Sequence, residues 1–239
     1  MTFWLVVAVV RLFNLVTGHR VVRHGVGRLP ADGAAVLAIN HTAYVDFIYV
    51  GLEAYRHERR QVRFMGKVEL SGNPILRWAM RGCGVIPVDR SAGRGSFVAA
   101  VEELRRGEVV GIYPEATISR SFELKAFKSG AARMALEADV PIIPAIVWGA
   151  QRIATKGRPK HLGRTKTPVT VDIGEPIAAT GTPEDLTARL RDAMQAMLLG
   201  VQDSYGPHPA GEDWVPARLD GSAPTLAEAD EIDRQAKKT

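Results

Sequence analysis

Cysteine is nearly absent: Cys83 is the only one in 239 residues. That excludes an intrachain disulfide and any multi-cysteine metal site, and it fits a reducing, cytosol-facing location. The chain also lacks a run of about 20 apolar residues, the length a helix needs to cross a bilayer. There is no glycine-rich phosphate loop of the nucleotide-triphosphatase or dinucleotide type. His19, His24, His57, His161 and His208 fall at no metal-ligand spacing, so no metal is expected. Aromatic residues make up 7% of the chain and build no basic, aromatic-rich motif, which argues against a nucleic-acid partner.

Acidic residues are scarce in most of the chain. Residues 202–239 hold eight acids against four Lys/Arg, which leaves 27 basic against 18 acidic residues in the first 201. The larger part is therefore basic and favours anionic partners, such as phospholipid headgroups or a phosphorylated substrate. At the N-terminus, Phe3 to Val10 is an apolar run that Arg11 interrupts and Leu12, Phe13, Leu15 and Val16 resume. It has neither the positive start nor the small-residue cleavage site of a signal peptide. Residues 1–21 read as a helix lying in a membrane interface, with Trp4 and Phe13 as anchors and Arg11, Arg20 and Arg23 near lipid phosphates. A core helix of the fold is the alternative.

Short β-rich runs then alternate with helical stretches. Ala34–Ile39, Val62–Met65, Val85–Val88, Val109–Tyr113, Ile142–Val147 and Val169–Ile173 read as strands; Val45–Glu58, Pro74–Arg81, Ser96–Arg106, Ser129–Ala138 and Pro183–Leu199 read as helices. This alternation predicts an α/β sandwich around a largely parallel or mixed sheet, with the chemistry in loops at strand ends. The stretch from Gln151 to Pro168 carries six Lys/Arg and no acid, and reads as a surface loop. Residues 22–201 form the main domain; 202–239, rich in Pro, Gly and acids, read as a tail, either loosely wrapped or disordered.

The segment Asn40-His41-Thr42-Ala43-Tyr44-Val45-Asp46 sits between a strand and a helix. On a regular helix an offset of five residues turns about 140°, which would part the two side chains. They meet if His41 precedes the first helical turn and folds back over Asp46. A carboxylate on one imidazole nitrogen fixes the tautomer and supports the charge that forms when the other nitrogen takes a proton, as a general base requires. Cys83, between Gly82 and Gly84 and with no histidine close in sequence, reads as a turn residue rather than an acyl-accepting nucleophile.

His41-x4-Asp46 resembles the first signature of the lysophosphatidic acid (1-acylglycerol-3-phosphate) acyltransferase family, and three further blocks follow in that family's order. These are Gly84-Val85-Ile86-Pro87-Val88-Asp89-Arg90, Tyr113-Pro114-Glu115-Ala116-Thr117-Ile118-Ser119 and Val140-Pro141-Ile142-Ile143-Pro144, within a resemblance spanning about residues 22 to 177. It implies a glycerol-3-phosphate acyltransferase-like sandwich, with a mixed, mostly parallel sheet flanked by helices. It also implies transfer of a fatty acyl group from acyl-CoA or acyl carrier protein to lysophosphatidic acid at the cytoplasmic face of a membrane, without a cofactor. His41 and Asp46 would be the catalytic pair. Arg90, Glu115 and Thr117 would line the acceptor site. The usual Glu-Gly-Thr-Arg of the third block appears here as Glu115-Ala116-Thr117-Ile118, so the family's arginine is missing, and Arg120, Lys128 and Lys67 are the candidates to replace it. That departure leaves glycerol-3-phosphate, another lysophospholipid or a glycolipid open as the acceptor. The non-enzymatic alternative is a peripheral membrane-binding protein with a decayed site, against which the intact His41 and Asp46 stand.

Overall fold

Seven strands form one sheet in the computed structural model, which describes residues 2–89 and 93–236. The strand β2 (Ala35–Ile39) lies in its middle. All five of its residues are buried, and they alternate between two apolar layers: Ala35, Leu37 and Ile39 in one, Val36 and Ala38 in the other. Burial on both faces is what a run of five apolar residues requires. Its neighbours in the sheet are β5 (Val109–Ile112) and β6 (Ile142–Trp148), both parallel to it. β3 (Val62–Lys67) and β4 (Ile86–Val88) extend the sheet on the β5 side, again in parallel. On the other side β7 (Pro168–Ile173) pairs antiparallel with β6 and parallel with β1 (Arg20–His24), giving the order β1-β7-β6-β2-β5-β3-β4.

Helices cover both faces. On one lies α2 (Asp46–Glu58), which crosses from β2 toward β3 and packs against β6 and β7; on the other lie α4 (Gly93–Arg105), α5 (Gly130–Ala138) and α6 (Pro183–Ser204). The two cores follow from this layering: Val101, Leu104, Met134, Leu190 and Met194 belong to the α4–α6 side, Tyr49 and Val50 to the α2 side. Two helices stand apart. α1 (Thr2–Thr17) packs against α2 and against α3 (Pro74–Gly82), close enough that a Cβ on Gly82 would lie 2.1 Å from the Thr2 methyl group. Trp4, Leu5, Val9, Leu12, Leu15 and Val16 of α1, and Ile75, Leu76 and Trp78 of α3, are exposed. No helix among the described residues is long and apolar enough to cross a membrane.

The six expected strands and five expected helices all form, within a few residues at their ends. Two elements were not expected. Arg20–His24 is an edge strand with almost no buried residue, so it shows no apolar alternation, and Arg23 pairs with the buried Glu53. The C-terminal stretch contains α7 (Leu226–Gln235), started by a capping box between Thr225 and Glu228. Trp214, Val215, Ala223 and Ala229 anchor this stretch in the domain as buried residues.

Asn40 ties the end of β2 to β6: its side-chain amide donates to the Val147 carbonyl at 3.0 Å, and its side-chain oxygen accepts the Val147 N–H at 2.7 Å. All of this is buried. Replacing Asn40 with Ala leaves both Val147 groups unpaired, at a cost of roughly 1–3 kcal/mol for each unsatisfied group. Chemical denaturation of Asn40→Ala is expected to show a loss of about 2–4 kcal/mol; a loss below 1 kcal/mol contradicts this account of the strand end.

Candidate active site

The C-terminal ends of β2, β3, β5 and β6 all point to one edge of the sheet, and the motifs collect there, as they do in open α/β sheets. His41 follows β2 in the loop, and Asp46 is the first residue of α2. The imidazole folds back so that its Nδ1 lies 3.2 Å from Asp46 Oδ2. The same oxygen accepts the Thr42 N–H at 2.9 Å and the Ala43 N–H at 2.8 Å. Asp46 therefore closes the turn that precedes its own helix. Burial raises its pKa above the ordinary carboxylate value, while the bond and charge of His41 and the N–H groups of Ala43 and Thr42 pull it down. The His41 side chain keeps 18% of its surface exposed, whereas Asp46 has none.

The strand β5 delivers Tyr113 onto the His41 ring, stacked at 3.8 Å between centroids and tilted by 15°. Burial, then the Asp46 charge, push the Tyr113 phenol well above its usual pKa, so it stays neutral. Glu115 bonds backbone on both sides: Oε1 accepts the His41 N–H at 2.8 Å and Oε2 the Lys125 N–H at 3.0 Å. Its two oxygens thus hold backbone on either side of the site. Ala116 has φ 58°, a left-handed conformation in which the family's glycine would be unstrained. Ile118, in the arginine's place, is buried.

The expected cations divide. Arg120 is bonded to Asp233 of α7 at 3.1 Å, so it is engaged within the protein. Lys67 ends β3 exposed, and Lys128 is exposed with its N–H on the Pro114 carbonyl at 2.9 Å. Thr117 is half-buried in the turn after Glu115. Arg90 lies outside the described residues. Cys83 caps the end of α3, and burial raises its thiol pKa, the wrong direction for a nucleophile. Sequence reasoning missed Tyr113 as the stacking partner, Thr155, whose hydroxyl donates to the Thr42 carbonyl at 2.6 Å, and the trio Lys125, Lys156 and Asp233. A third block that begins with an aromatic residue directly after a strand was a usable signal for Tyr113; the others meet only in space.

A part-exposed imidazole, oriented by a buried carboxylate at the carboxyl edge of a mostly parallel sheet, has the geometry of a general-base site in an α/β enzyme. The acyltransferase family model matches residues 20–148, more than half of the chain, and the chain belongs to that family. It is 31% identical over 153 residues to the 1-acyl-sn-glycerol-3-phosphate acyltransferase of Bacillus subtilis, covering 62% of this chain and 69% of that protein. It is also 31% identical to the chloroplastic 1-acyl-sn-glycerol-3-phosphate acyltransferase LPAT1 of Arabidopsis thaliana, over 56% of this chain but only 37% of that longer protein. The crystal structure of the 1-acyl-sn-glycerophosphate acyltransferase PlsC from Thermotoga maritima shares the fold, with a TM-score of 0.67 at 20% identity, over 84% of this chain and 82% of that one.

Burial pushes the Glu115 carboxyl up to about 8; the N–H groups of Lys125 and His41 pull it down, Asp46 pushes it further up and the Lys125 charge lowers it. A carboxyl raised in the folded state stabilises the fold below its ordinary value and loses that contribution as the pH climbs to the raised one. The parent should therefore lose stability relative to Glu115→Gln, which does not titrate, between about pH 4.5 and 8. Thermal melts of both across that range test it, and parallel curves would contradict the assignment.

Proposed function

We propose that this chain transfers a fatty acyl group from a thioester of coenzyme A or acyl carrier protein to the free hydroxyl of lysophosphatidic acid, giving phosphatidic acid. The observation that carries the reading is the 3.2 Å contact of His41 Nδ1 with the buried Asp46. With Nδ1–H held by the carboxylate, Nε2 is the nitrogen that accepts the hydroxyl proton. The oxygen attacks the thioester carbonyl, the tetrahedral intermediate collapses, and the thiol leaves with a proton. The bonds exchanged are C–S for C–O, so no electrons change hands and no redox cofactor enters the step. The names of the relatives support lysophosphatidic acid as the acceptor.

Exposed Lys67 and Lys128, with Arg90, hold the acceptor phosphate in this reading; Arg120 is engaged elsewhere. Ile118 in place of the family's arginine is the specific reason to include other lysolipids and glycerol-3-phosphate in the assay. Purified protein, palmitoyl-coenzyme A and a panel of these acceptors should yield free thiol and lipid product, most with lysophosphatidic acid. His41→Ala and Asp46→Asn should lower turnover by roughly 100- to 10,000-fold. Substantial turnover in His41→Ala would remove His41 as the base.

Both lipids in the reaction are amphiphiles, and α1, which exposes apolar residues and packs against α2, the helix that carries Asp46, also packs against α3, which exposes more of them. We place this face on the cytoplasmic surface of a membrane, with the N-terminal helix lying in the interface. Leu12 and Leu15 are exposed and outside the cores, so Leu12→Gln with Leu15→Gln should spare the fold. Flotation with anionic vesicles should show binding weakened by roughly tenfold or more, at about 1.5–3 kcal/mol for each leucine fully buried. Unchanged flotation would place the contact elsewhere.

A further inference from the structure

The His41 turn is held from two sides by loops, each also anchored in a core by buried residues, Phe122 and Leu124 in one and Ala150 and Ile153 in the other. On one side runs the segment after β5. Its Ser119 N–H donates to the His41 carbonyl at 2.7 Å, and its Lys125 N–H holds Glu115, which in turn takes the His41 N–H. On the other side runs the loop after β6, where the Ala154 carbonyl accepts the Tyr44 N–H at 2.9 Å and Thr155 donates to the Thr42 carbonyl. Three of these holding residues are at, or next to, a cation: Arg120 follows Ser119, Lys125 is itself one, and Lys156 follows Thr155.

All three cations converge on one carboxylate. Asp233 Oδ1 accepts Lys156 Nζ at 2.6 Å and Arg120 Nε at 3.1 Å, and Oδ2 accepts Lys125 Nζ at 2.8 Å. The side chain of Asp233 is only 8% exposed. Asp230, one turn earlier on the same helix, adds a second acid on Lys125 at 2.8 Å. The Arg120 guanidinium reaches the second loop across Gly157, where a Cβ would lie 2.2 Å from Nη1. The position of α7 is set independently, by the Thr225 capping box and the burial of Ala229.

We propose that Asp233 is a positioning residue for His41: its carboxylate clasps the loops after β5 and β6 together and so fixes the turn they hold. Burial alone would raise the pKa of Asp233, but the three cations hold it well below the carboxylate range, so the clasp is charged at any physiological pH. Without that charge, Arg120 and Lys156 lose the carboxylate they share, Lys125 keeps Asp230, and the two loops are no longer tied to each other at this point. The turn between β2 and α2 then loses its outer supports, while the sheet keeps its own. Asp233 lies outside the stretch that matches the family model, so this clasp is a property of this chain's C-terminal segment.

The role rests on the reading of His41 as the base, and the experiment separates the two. Full-length parent, Asp233→Asn, Asp233→Ala and Asp233→Glu are compared for kcat and KM with palmitoyl-coenzyme A and lysophosphatidic acid, for melting temperature, and for backbone hydrogen exchange. A misplaced base should lower kcat of Asp233→Asn and Asp233→Ala by roughly 10- to 100-fold with little change in either KM. Asp233→Glu should restore most of it. Exchange should quicken at residues 41–46, 115–125 and 154–157 and stay unchanged in β2 and β6. Unchanged kcat in Asp233→Ala overturns the proposal. So does a loss that follows a lowered melting temperature with faster exchange throughout the sheet, because that marks a merely structural pair. If the parent itself gives no product, the acyl-transfer reading fails, and the exchange pattern still decides whether Asp233 holds the turn.

Discussion

A carboxylate with no exposed surface must be met by donors, and the active-site edge of this protein is organised around that requirement. Asp46 could draw its donors from its own helix, as residues at helix starts do. Instead it takes them from the segment before the helix: the N–H groups of Thr42 and Ala43 and the ring of His41, all on Oδ2. The offset of five residues, awkward on a helix, becomes natural when the first residue lies outside it and the last begins it. Tyr113 then covers one face of the imidazole. Glu115 repeats the logic one strand away, with a buried carboxyl that receives N–H groups from two separate segments. Two buried acids thus do for the loops what hydrogen-bond ladders do for strands.

This order is possible because the sheet beneath is rigid. β2 and β6 are buried along their whole length, and the Asn40 amide joins them at the point where β2 gives way to the loop. The turn therefore starts from a fixed end. Strain is present beyond it: Ala116 and Phe122, both non-glycine, have positive φ within ten residues of Tyr113. A loop that keeps such conformations must be held by other contacts. Here they include Glu115, Ser119 and, further out, the cations on Asp233.

What could be read in the sequence follows from this division. Central strands and long helices declare themselves through burial on a fixed period, and Ala35–Ile39 or Pro183–Ser204 needed no spatial information. β1 was missed because an edge strand that buries almost nothing has no alternation to show, and its arginines suggested a surface role. α7 was missed because its neighbourhood is dominated by Pro, Gly and acids, the composition of a tail. His41 and Asp46 were legible through local spacing supported by the ordered blocks. The bonds of Arg120 were not, since its partner lies 113 residues away, and nothing in a single sequence links the two.

The charge asymmetry gains a physical meaning from the same contacts. Three of the acids after residue 201 are counter-ions to the basic domain: Asp233 meets Arg120, Lys125 and Lys156, Asp230 meets Lys125, and Asp213 meets Arg158 at 2.6 Å. Two of the six cations in the loop from Gln151 to Pro168, Lys156 and Arg158, are thus neutralised inside the fold. Lys160, over the exposed ring of Tyr44, still faces outward beside the His41 turn, as do Lys67 and Lys128 at the same edge. Exposed cations gathered at one edge draw an anion there, and a neighbour neutralised by an acid competes less for it. The acidic C-terminal segment therefore shapes where negative charge can approach, as well as holding the loops.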